Sequence, residues 1–307
     1  MKIAITGATG FVGSRLVKKL KNDGHQLLIL TRNANHVQQL YSASEFSDLE
    51  IIPYQPAESG DWQKVVSGCD GVVNLAGEPI TKRWTPENRK AILESRQLGT
   101  RKIVEAIAQA DVQPSVLVNA SAIGYYGGSE INIFNEDSDS GDGFLAQVCR
   151  IWETEANEVK KAGVRLVVLR IGVVLGNGGA LTRITPPFKL FIGGQLGNGN
   201  QWFSWIHLDD LVNLIIESLD RNDVEGIFNA TSPYPVRMNE LCETLGRVMN
   251  RPSWLPIPAF VLKFLLGDAS KLIVEGQHVL PKRTQSIGFK YQYPNLEKAL
   301  VDIVPRI

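Results

Sequence analysis

The sequence predicts an α/β fold, in which a doubly wound parallel sheet carries a smaller, mostly helical capping lobe in its C-terminal part. Two observations support this class. Short β-branched runs alternate with amphipathic helical segments through the first two thirds of the 307 residues. Beyond residue 176 this alternation gives way to helical and irregular segments. Continuous apolar strands separated by helices are typical of parallel sheets covered on both faces.

The first elements are a strand at residues 2–6, a glycine turn, and a helix from residue 11. Gly7 permits a tight turn, Gly10 lets backbone amides approach a diphosphate, and Gly13 lets the helix pack close to the strand. The free N–H groups and the dipole of the helix N-terminus favour an anion. This predicts a Rossmann-type dinucleotide site; the alternative is a glycine-rich turn without a ligand. The predicted contacts are Gly7, Thr9, Gly10, Phe11 and Val12.

The second strand, at residues 26–31, ends in Thr31 and Arg32. A site for NAD carries Asp or Glu here, to bind the ribose 2′-hydroxyl. The fork of donors on Arg32 suits a phosphate dianion instead. We therefore expect Thr31 and Arg32 to contact NADP(H), and we prefer this to the alternative of a solvated loop arginine.

Further strands and helices follow in alternation. Thr85 and Pro86 mark the start of a long helix that runs toward residue 110, because Thr is a good N-cap and Pro suits the first helical position. A second long helix is predicted at residues 144–162. The remaining strands of the first 176 residues are predicted at residues 49–54, 71–77, 115–121 and 164–171, and short strands are predicted beyond them at 201–207 and 227–230.

The domain organisation has a soft boundary near residue 176. We expect residues 1–176 to form the dinucleotide-binding domain, with residues 200–232 returning to it, and residues 177–307 to form the capping lobe. Pro186 and Pro187 are predicted to open a helix in this lobe. The apolar segment 256–267 is predicted to have one helical face. That face would contact a partner or a membrane, or would pack as a lid on the cofactor lobe, and we favour the lid. The face comprises Ile257, Val261, Phe264 and Leu265.

Composition excludes several classes of function. Lys plus Arg and Asp plus Glu both number 32, so no basic field favours nucleic acid or anionic membranes. The four histidines are dispersed, which predicts no metal site. Three scattered cysteines are typical of reduced thiols in a cytoplasmic protein. We expect no signal peptide and no membrane span.

Several motifs in order carry a family resemblance. The chain resembles the extended short-chain dehydrogenases/reductases, the group of nucleotide-sugar epimerases. The resemblance implies cofactor contacts from the backbone of Leu75, Ala76 and Gly77 and at Ile171. It also implies a contact from Arg96, which stands where Asn is usual. The motifs are TGATGFVG at 6–13, NLAG at 74–77, SRQLGT at 95–100, LRIGVVLG at 169–176 and WIHLDDL at 205–211.

A narrower likeness points to an atypical branch of that family. ASAIGYYG at 120–127, EGQHVLPKR at 275–283 and Gly288-Phe289 resemble epimerase-family proteins with an added C-terminal domain of unknown function, here at about 250–300. Cyanobacterial and plastid members of this branch are labelled division-inhibitor-like. The resemblance implies a homodimer formed through helices 86–110 and 144–162, and it suggests a division-related protein partner.

The catalytic pattern of the family is broken in this chain. The usual Tyr-x-x-x-Lys pair, in which Lys lowers the pKa of the Tyr that moves a proton, is replaced by Leu145 and Cys149. Three residues are candidates to compensate. Ser121 would polarise a carbonyl or satisfy a strand end. Cys149 would contact the nicotinamide ribose or be an ordinary buried thiol. Arg96 would replace both the missing Asn and the charge of the missing Lys, or would be a surface arginine of its helix. Tyr125 and Tyr126 are possible substitute acids, and a tyrosine there would otherwise form a wall of the substrate pocket.

Two functions follow from this pattern. The first is an NADP(H)-dependent oxidoreductase or epimerase-like enzyme acting on an unknown small carbonyl or sugar-like substrate. The second is a non-catalytic NADPH-binding regulatory protein with a partner in cell division. A fold of this kind serves both roles, so the sequence does not choose between them.

Overall fold

The computed structural model describes residues 1–41 and 49–304. Within these residues the main sheet has seven strands, and every pairing in it is parallel. The spatial order is β3-β2-β1-β4-β5-β7-β11. The strands are β1 (Lys2–Thr6), β2 (Gln26–Thr31), β3 (Leu49–Pro53), β4 (Gly71–Asn74), β5 (Val116–Ala122), β7 (Arg165–Ile171) and β11 (Gly226–Ala230). The predicted doubly wound parallel sheet is confirmed.

Helices cover both faces of this sheet and form most of the rest of the described chain. They are α1 (Phe11–Asn22), α2 (Ala34–Leu40), α3 (Pro86–Ala108), α4 (Phe144–Asn157), α5 (Leu181–Lys189), α6 (Leu208–Asp220), α7 (Met238–Met249), α8 (Ala259–Leu266), α9 (Lys271–Val274), α10 (Lys282–Ser286) and α11 (Leu296–Ile303). Single turns of 3-10 helix occupy Asp61–Val66, Ile123–Tyr126, Glu158–Ala162 and Gly267–Ser270.

Short strands pair outside the main sheet. They are β6 (Ile133–Phe134), β8 (Val173–Leu175), β9 (Trp202–Phe203), β10 (Trp205–His207), β12 (Val236–Arg237) and β13 (His278–Val279). β10 pairs with β8, β12 with β9, and β13 with β6. Strand β8 begins just after β7 ends, so the chain from residue 173 and its partner strand β10 lie next to the main sheet.

Two apolar cores lie on the two faces of the sheet. On one face, Leu16 of α1 and Ile215 of α6 pack with Ile5 of β1. On the other face, Ile103 of α3 packs with Leu28 of β2. These side chains are at most 1% exposed. Burial on both faces is why the strands read as continuous β-branched runs rather than as alternating ones.

The C-terminal segment returns to the main sheet. Pairing of β13 with β6 ties it to the loop at residues 127–143, which is rich in Asp, Ser and Gly, and α10 packs against β11. Glu136 of that loop accepts hydrogen bonds from the backbone N–H of Asn229 (3.0 Å) and of Arg283 (3.1 Å). Residues 275–283, which carry the narrower family likeness, therefore form one wall of the sheet edge beside β11.

Helix boundaries agree with most of the sequence predictions. Thr85 Oγ1 accepts from the Asn88 N–H at 3.3 Å, so the predicted N-cap of α3 is confirmed. The helix predicted at 144–162 is α4 followed by a 3-10 turn, and Gly163 ends it in a left-handed conformation. The prediction that Pro186 and Pro187 open a helix is wrong, because both lie in the last part of α5. Each Pro lacks the N–H that would bond the carbonyl four residues earlier, so α5 depends on the packing of its buried residues Leu181, Thr185 and Phe188.

Helix α8 is oriented differently from the prediction. Its buried residue is Leu262, whereas Phe264 and Leu265 are 83% and 64% exposed. The prediction that these two residues lie on a packed helical face with Ile257 and Val261 is therefore wrong. The end of α8 and the turn after it pack inward, since Leu266 and Ala269 join a cluster with Trp84, which lies just before α3.

No helix in the described ranges 1–41 and 49–304 is both long and apolar enough to cross a bilayer. The same ranges contain no group of three or more His, Cys, Asp or Glu arranged to hold a metal ion. The three cysteines are buried free thiols.

Candidate functional site

The glycine turn after β1 is built by close backbone approach. Gly7 has a φ of +72°, a left-handed conformation, and a Cβ there would lie 2.8 Å from the carbonyl carbon of Leu75. A Cβ on Gly13 would lie 2.2 Å from the carbonyl oxygen of Gly7. Any side chain at either position would displace α1 from the end of β1. The close backbone approach therefore requires glycine at positions 7 and 13, as the sequence pattern predicted.

The N-terminus of α1 is open to an anion. Gly10 is the N-cap residue, no side chain caps the helix, and its first turn carries no acidic residue. The first N–H groups of a helix have no intrahelical acceptor, so the amides from Phe11 onward point toward the turn with their partial positive charge. Gly10 is exposed, and Thr9 and Val12 are half-buried beside it. This is the arrangement that binds a diphosphate.

The ring of Phe11 has a structural role of its own. Cβ atoms on Gly176, Gly178 and Gly179 would each lie within 2.9 Å of this ring, so the loop after β8 wraps around it. The backbone of Phe11 remains in the first turn of α1. The predicted contact of Phe11 with a cofactor therefore concerns its amide, while its side chain holds the loop that leads into α5.

Arg32 follows β2 in a short turn. The Asn33 N–H donates to Thr31 Oγ1 (3.1 Å), and Asn33 in turn caps α2 by accepting from the His36 N–H (3.0 Å). The Arg32 side chain is exposed and has no hydrogen-bond or ion-pair partner in the described residues. It lies close enough to Tyr54 to oppose the effect of burial, which raises the pKa of that phenol to about 12. Among the described residues, Arg32 is thus an exposed cation without an ionic partner at the end of β2.

A buried polar relay fixes the backbone after β4. Thr6 Oγ1 donates to Asn74 Oδ1 (2.7 Å) and accepts from the N–H groups of Leu75 and Ala76 (3.2 Å each). Asn74 Nδ2 donates to Asn119 Oδ1 at 2.7 Å. Three neighbouring strands are thereby tied together at their carboxyl ends. Residues 75–77 are held beside Gly7, with Gly77 exposed at the open edge.

Arg96 on α3 reaches this same edge. A Cβ on Gly77 would lie 2.9 Å from Cζ of Arg96, and the guanidinium NH1 donates to the carbonyl oxygens of Glu78 (3.0 Å) and Ile92 (3.1 Å). Its Cζ lies 5.0 Å from the centre of the Trp152 ring of α4. Burial lowers the pKa of Arg96. The structure thus brings Arg96 to the NLAG backbone, and its predicted contact with a cofactor stays a prediction.

Cys149 lies at the position where the family pattern has Lys. It is 4% exposed, and its Sγ lies 3.6 Å from the carbonyl oxygen of Ala122. Burial, with a smaller contribution from the charge of Glu153, raises the pKa of this thiol to about 11. Arg96 opposes that shift, so the two side chains are electrostatic neighbours. A buried thiol with a raised pKa stays protonated near neutral pH and is a poor nucleophile, so the structure favours a contact role for Cys149 over a nucleophilic one.

Ser121 is turned away from the open edge. It is 3% exposed, and its hydroxyl donates to Glu153 Oε1 at 2.6 Å. Ala122, the last residue of β5, is half-buried at the edge and pairs with Ile171 of β7. The hydroxyl of Ser121 therefore satisfies a buried carboxylate in this structure, and its predicted contact with a carbonyl or cofactor stays a prediction.

Tyr126 lies deeper in the same region. It is 2% exposed, and its hydroxyl donates to Asn229 Oδ1 (2.7 Å) and accepts from Arg170 NH1 (3.0 Å). Burial raises its pKa to about 12. Both bonds place the phenol inside a buried network, so its role as a proton donor also stays a prediction.

Sequence reasoning missed the centre of this network. Arg170, whose side chain is 2% exposed, makes a two-pronged ion pair with Glu153 through bonds of 2.9 and 2.8 Å. Its Cζ also lies 3.3 Å from the centre of the Tyr125 ring. A signal was available, because an Arg inside an apolar strand requires a buried partner. Glu153 lies one helical turn beyond Cys149, on the same face of α4.

A cavity of about 230 Å³ lies beside Glu153. It is lined by residues of α4, β7, β11 and α10, and none of the predicted cofactor residues contributes to it. The dinucleotide site described above is therefore a separate feature at the carboxyl edge of the sheet.

Family models match most of the chain. The model described as the NAD dependent epimerase/dehydratase family matches residues 3–231. A second model, described as a domain of unknown function (DUF1731), matches residues 257–303. The second match shows the added C-terminal domain that the narrower family resemblance implied.

Individual proteins match over almost their whole length. An epimerase family protein SDR39U1 homolog, chloroplastic, from Arabidopsis thaliana is 48% identical over 303 residues, covering 98% of this chain and 86% of that protein. Epimerase family protein YfhF of Bacillus subtilis is 38% identical, covering 99% and 98%. The crystal structure of human epimerase family protein SDR39U1 (isoform 2) with NADPH is 32% identical, covers 100% of both chains and superposes with a TM-score of 0.88.

Proposed function

The chain belongs to the NAD dependent epimerase/dehydratase family, and from this premise we propose that it binds NADP(H) and acts as an atypical oxidoreductase of this family. One observation supports the binding claim above all others. The N-terminus of α1, which no side chain caps, and Arg32, which has no partner among residues 1–41 and 49–304, offer two separate anion sites at one sheet edge. NADP(H) carries two anionic groups of that kind, a diphosphate and a 2′-phosphate.

The residues present fit this group. The amides of α1, reached through Gly7 and Gly10, would hold the diphosphate. Thr31 and Arg32 would hold the 2′-phosphate, since a guanidinium can donate two hydrogen bonds to one phosphate. The relay from Thr6 fixes the backbone that would lie along the nicotinamide half. That half would be bounded by Leu75, Ala76, Gly77, Arg96, Cys149 and Ile171.

A nicotinamide dinucleotide supplies a hydride when it is bound. The chain's own contribution is to bind, to orient and to exclude water. Arg96 stands where it would supply the positive charge that the missing Lys supplies elsewhere in the family, because it contacts Gly77 and is an electrostatic neighbour of Cys149. The human relative's crystal structure with NADPH supports the choice of cofactor.

The non-catalytic alternative remains the second candidate. Leu145 and Cys149 in place of Tyr and Lys favour it, since neither residue continues the usual proton relay. The role in cell division has no support from the names of the relatives described above. We therefore propose the enzymatic function first, with the substrate identified by screening.

The test uses two measurements on the purified chain. NADPH is titrated while its nicotinamide fluorescence is followed, and a panel of carbonyl compounds is then added while NADPH absorbance is followed. Saturable fluorescence enhancement together with turnover of at least one compound supports the enzyme. Saturable binding without turnover of any compound favours the regulatory alternative. No binding rejects both.

Two further expectations are also proposals. A homodimer would use the outer surfaces of α3 and α4, where Arg101 pairs with Glu155 at 2.5 Å and no large apolar side chain of the described residues is exposed. That surface favours a polar interface if one forms. A cytoplasmic location rests on the reduced cysteines alone.

A further inference from the structure

The end of β5 carries an apolar floor where the family pattern places its proton-transferring groups. Ala122 ends the strand, and α4 contributes Leu145 and Cys149 at the Tyr and Lys positions. A Cβ on Gly124 would lie 3.2 Å from Cβ of Leu145, so this floor is close-packed. The thiol of Cys149 is buried, and its pKa is raised to about 11. None of these three side chains is suited to donate a proton near neutral pH.

The hydroxyl groups of Ser121 and Tyr126 are engaged elsewhere, whereas that of the half-buried Tyr125 has no hydrogen-bond partner within residues 1–41 and 49–304. Ser121 donates to Glu153, and the Tyr126 hydroxyl donates to Asn229. The ring of Tyr125 lies on the guanidinium of Arg170, which is itself 2% exposed. These groups belong to the buried network that holds α4 on the sheet.

Arg96 is the cation beside this floor, and it has no carboxylate partner in the described residues. Its NH1 is bound by two backbone carbonyls, while Nε and NH2 have no acceptor within residues 1–41 and 49–304. Burial lowers its pKa, so the charged form is held at a cost. An anionic oxygen of a ligand would offset that cost and would use the free donors.

We propose that this site selects a planar conjugated ligand whose oxygen is carried as an anion, a phenolate or an enolate, paired with Arg96. The inference rests on the proposed function and names its substrate class. Such an oxyanion is the reduced form of a quinone or of an enone. When bound, the reduced nicotinamide would supply a hydride for a new C–H bond at the carbon β to the carbonyl. The C=C π pair would move toward the carbonyl carbon, the carbonyl π pair would move to oxygen and give the oxyanion beside Arg96, and water would supply the proton afterwards. A quinone adduct would reach the phenolate by moving one ring C–H proton to its second oxygen.

The acidity of the product explains why no protein acid is needed. A phenol loses its proton near pH 10, whereas water holds its proton to about pH 16 and a simple alcohol behaves similarly. Reduction of an isolated carbonyl therefore needs a proton delivered in the transition state, a contribution of roughly 10²–10⁴-fold in rate. A conjugated acceptor delocalises the charge, and a fixed cation stabilises it further.

The test measures binding of a coloured probe and does not depend on turnover. 4-Nitrophenol is titrated with the purified chain, alone and with NADP⁺, and the ionised fraction of the bound probe is read from its absorbance. We expect the bound probe to ionise at a pH about one unit lower than the free probe, a tenfold preference for the phenolate. A bound probe with an unshifted ionisation, or no binding at all, would overturn the proposal.

Variants assign the effect to Arg96. Arg96→Gln is expected to remove the shift and Arg96→Lys to retain part of it. Arg101→Gln changes an exposed arginine of the same helix and is expected to leave the shift unchanged. Melting curves show whether each variant folds. If Arg96→Gln fails to fold, the size of the shift in Arg96→Lys decides the test. A normal shift in folded Arg96→Gln contradicts the proposal.

A second arm compares acceptors while NADPH absorbance is followed. A naphthoquinone is expected to be reduced at least about tenfold faster than an aliphatic aldehyde, and the reverse order would contradict the proposal. The two levels of the account fail separately. If NADPH binds but the probe shows no shift, only the substrate class is rejected. If NADPH does not bind, the proposed function itself is rejected.

Discussion

Gly13 lies so close to Gly7 that a Cβ on Gly13 would stand 2.2 Å from the Gly7 carbonyl oxygen. This contact fixes α1 over the turn that the proposed diphosphate would occupy. We predict that Gly13→Val either prevents folding or raises the Kd for NADPH at least about tenfold, equal to about 1.4 kcal/mol. Fluorescence titration and a melting curve measure the two effects.

Gly99→Ala is the matched control for this prediction. Gly99 is a buried residue within α3, and a Cβ there would make an ordinary 3.6 Å contact with Pro56. Replacing Gly by Ala inside a helix stabilises by up to about 1 kcal/mol. An unchanged Kd in folded Gly13→Val would show that the close approach is not needed for binding.

Arg32 carries the prediction for cofactor preference. Arg32→Glu removes the exposed cation at the end of β2 and puts a carboxylate where a ribose hydroxyl would be bound. We predict that the ratio of Kd values for NADH and NADPH falls at least about tenfold. Lys290→Glu, at an exposed position, makes the same change in net charge and should leave the ratio unchanged. An unchanged ratio of the two Kd values in Arg32→Glu would show that Arg32 does not set the cofactor preference.

The sequence predicted the fold well because its signals are local. The turn at residues 6–13, the N-cap of α3 and the β-branched strands each depend on a few neighbouring residues, and the structure confirms them. The proline positions in α5 and the face of α8 were wrong. Tertiary packing decides both, since Leu262 and Leu266 turn inward against residues distant in the chain.

The site was predicted in part for the same reason. The glycine turn, Arg32 and Arg96 follow from motifs, and the structure places them at one sheet edge. The hydroxyl of Ser121 points into a network whose other members come from α4, β7 and β11. One sequence does not show which face of β5 this hydroxyl takes, because a shift of one residue exchanges it with Ala122.

The buried pair of Arg170 and Glu153 carries a prediction for stability. Arg170→Met leaves the Glu153 carboxylate buried with Ser121 as its remaining described side-chain partner. We predict a loss of about 3–5 kcal/mol in the free energy of unfolding, measured with urea. Lys64→Met, which breaks the exposed pair with Asp61, should change it little. A small decrease in the free energy of unfolding of Arg170→Met would mean that the ion pair with Glu153 is not needed for stability.

His278 gives a pH-dependent prediction. The imidazole ring of His278 stacks on the ring of Trp202, with the two centroids 3.9 Å apart. The guanidinium of Arg237 lies over the Trp202 ring. Partial burial and the charge of Arg237 lower the pKa of His278 below its usual value of 6.5. The neutral form is therefore favoured in the folded state. Its contribution to stability is present above about pH 6.5 and is lost as the pH falls through the folded pKa.

Urea unfolding between pH 7 and pH 5 measures this effect. The free energy of unfolding should fall less steeply with decreasing pH in His278→Gln than in the unchanged chain. His36→Gln, at an exposed position on α2, is the control. Equal slopes in all three proteins would exclude His278 as a source of acid sensitivity.

The central claim is that one sheet edge binds a phosphorylated nicotinamide dinucleotide. Calorimetric titration of the purified chain with NADPH and with NADH tests it most directly. The account predicts saturable heat with NADPH at a 1:1 ratio and binding of NADH at least about tenfold weaker. No heat with either dinucleotide, or equal affinity for both, would contradict it.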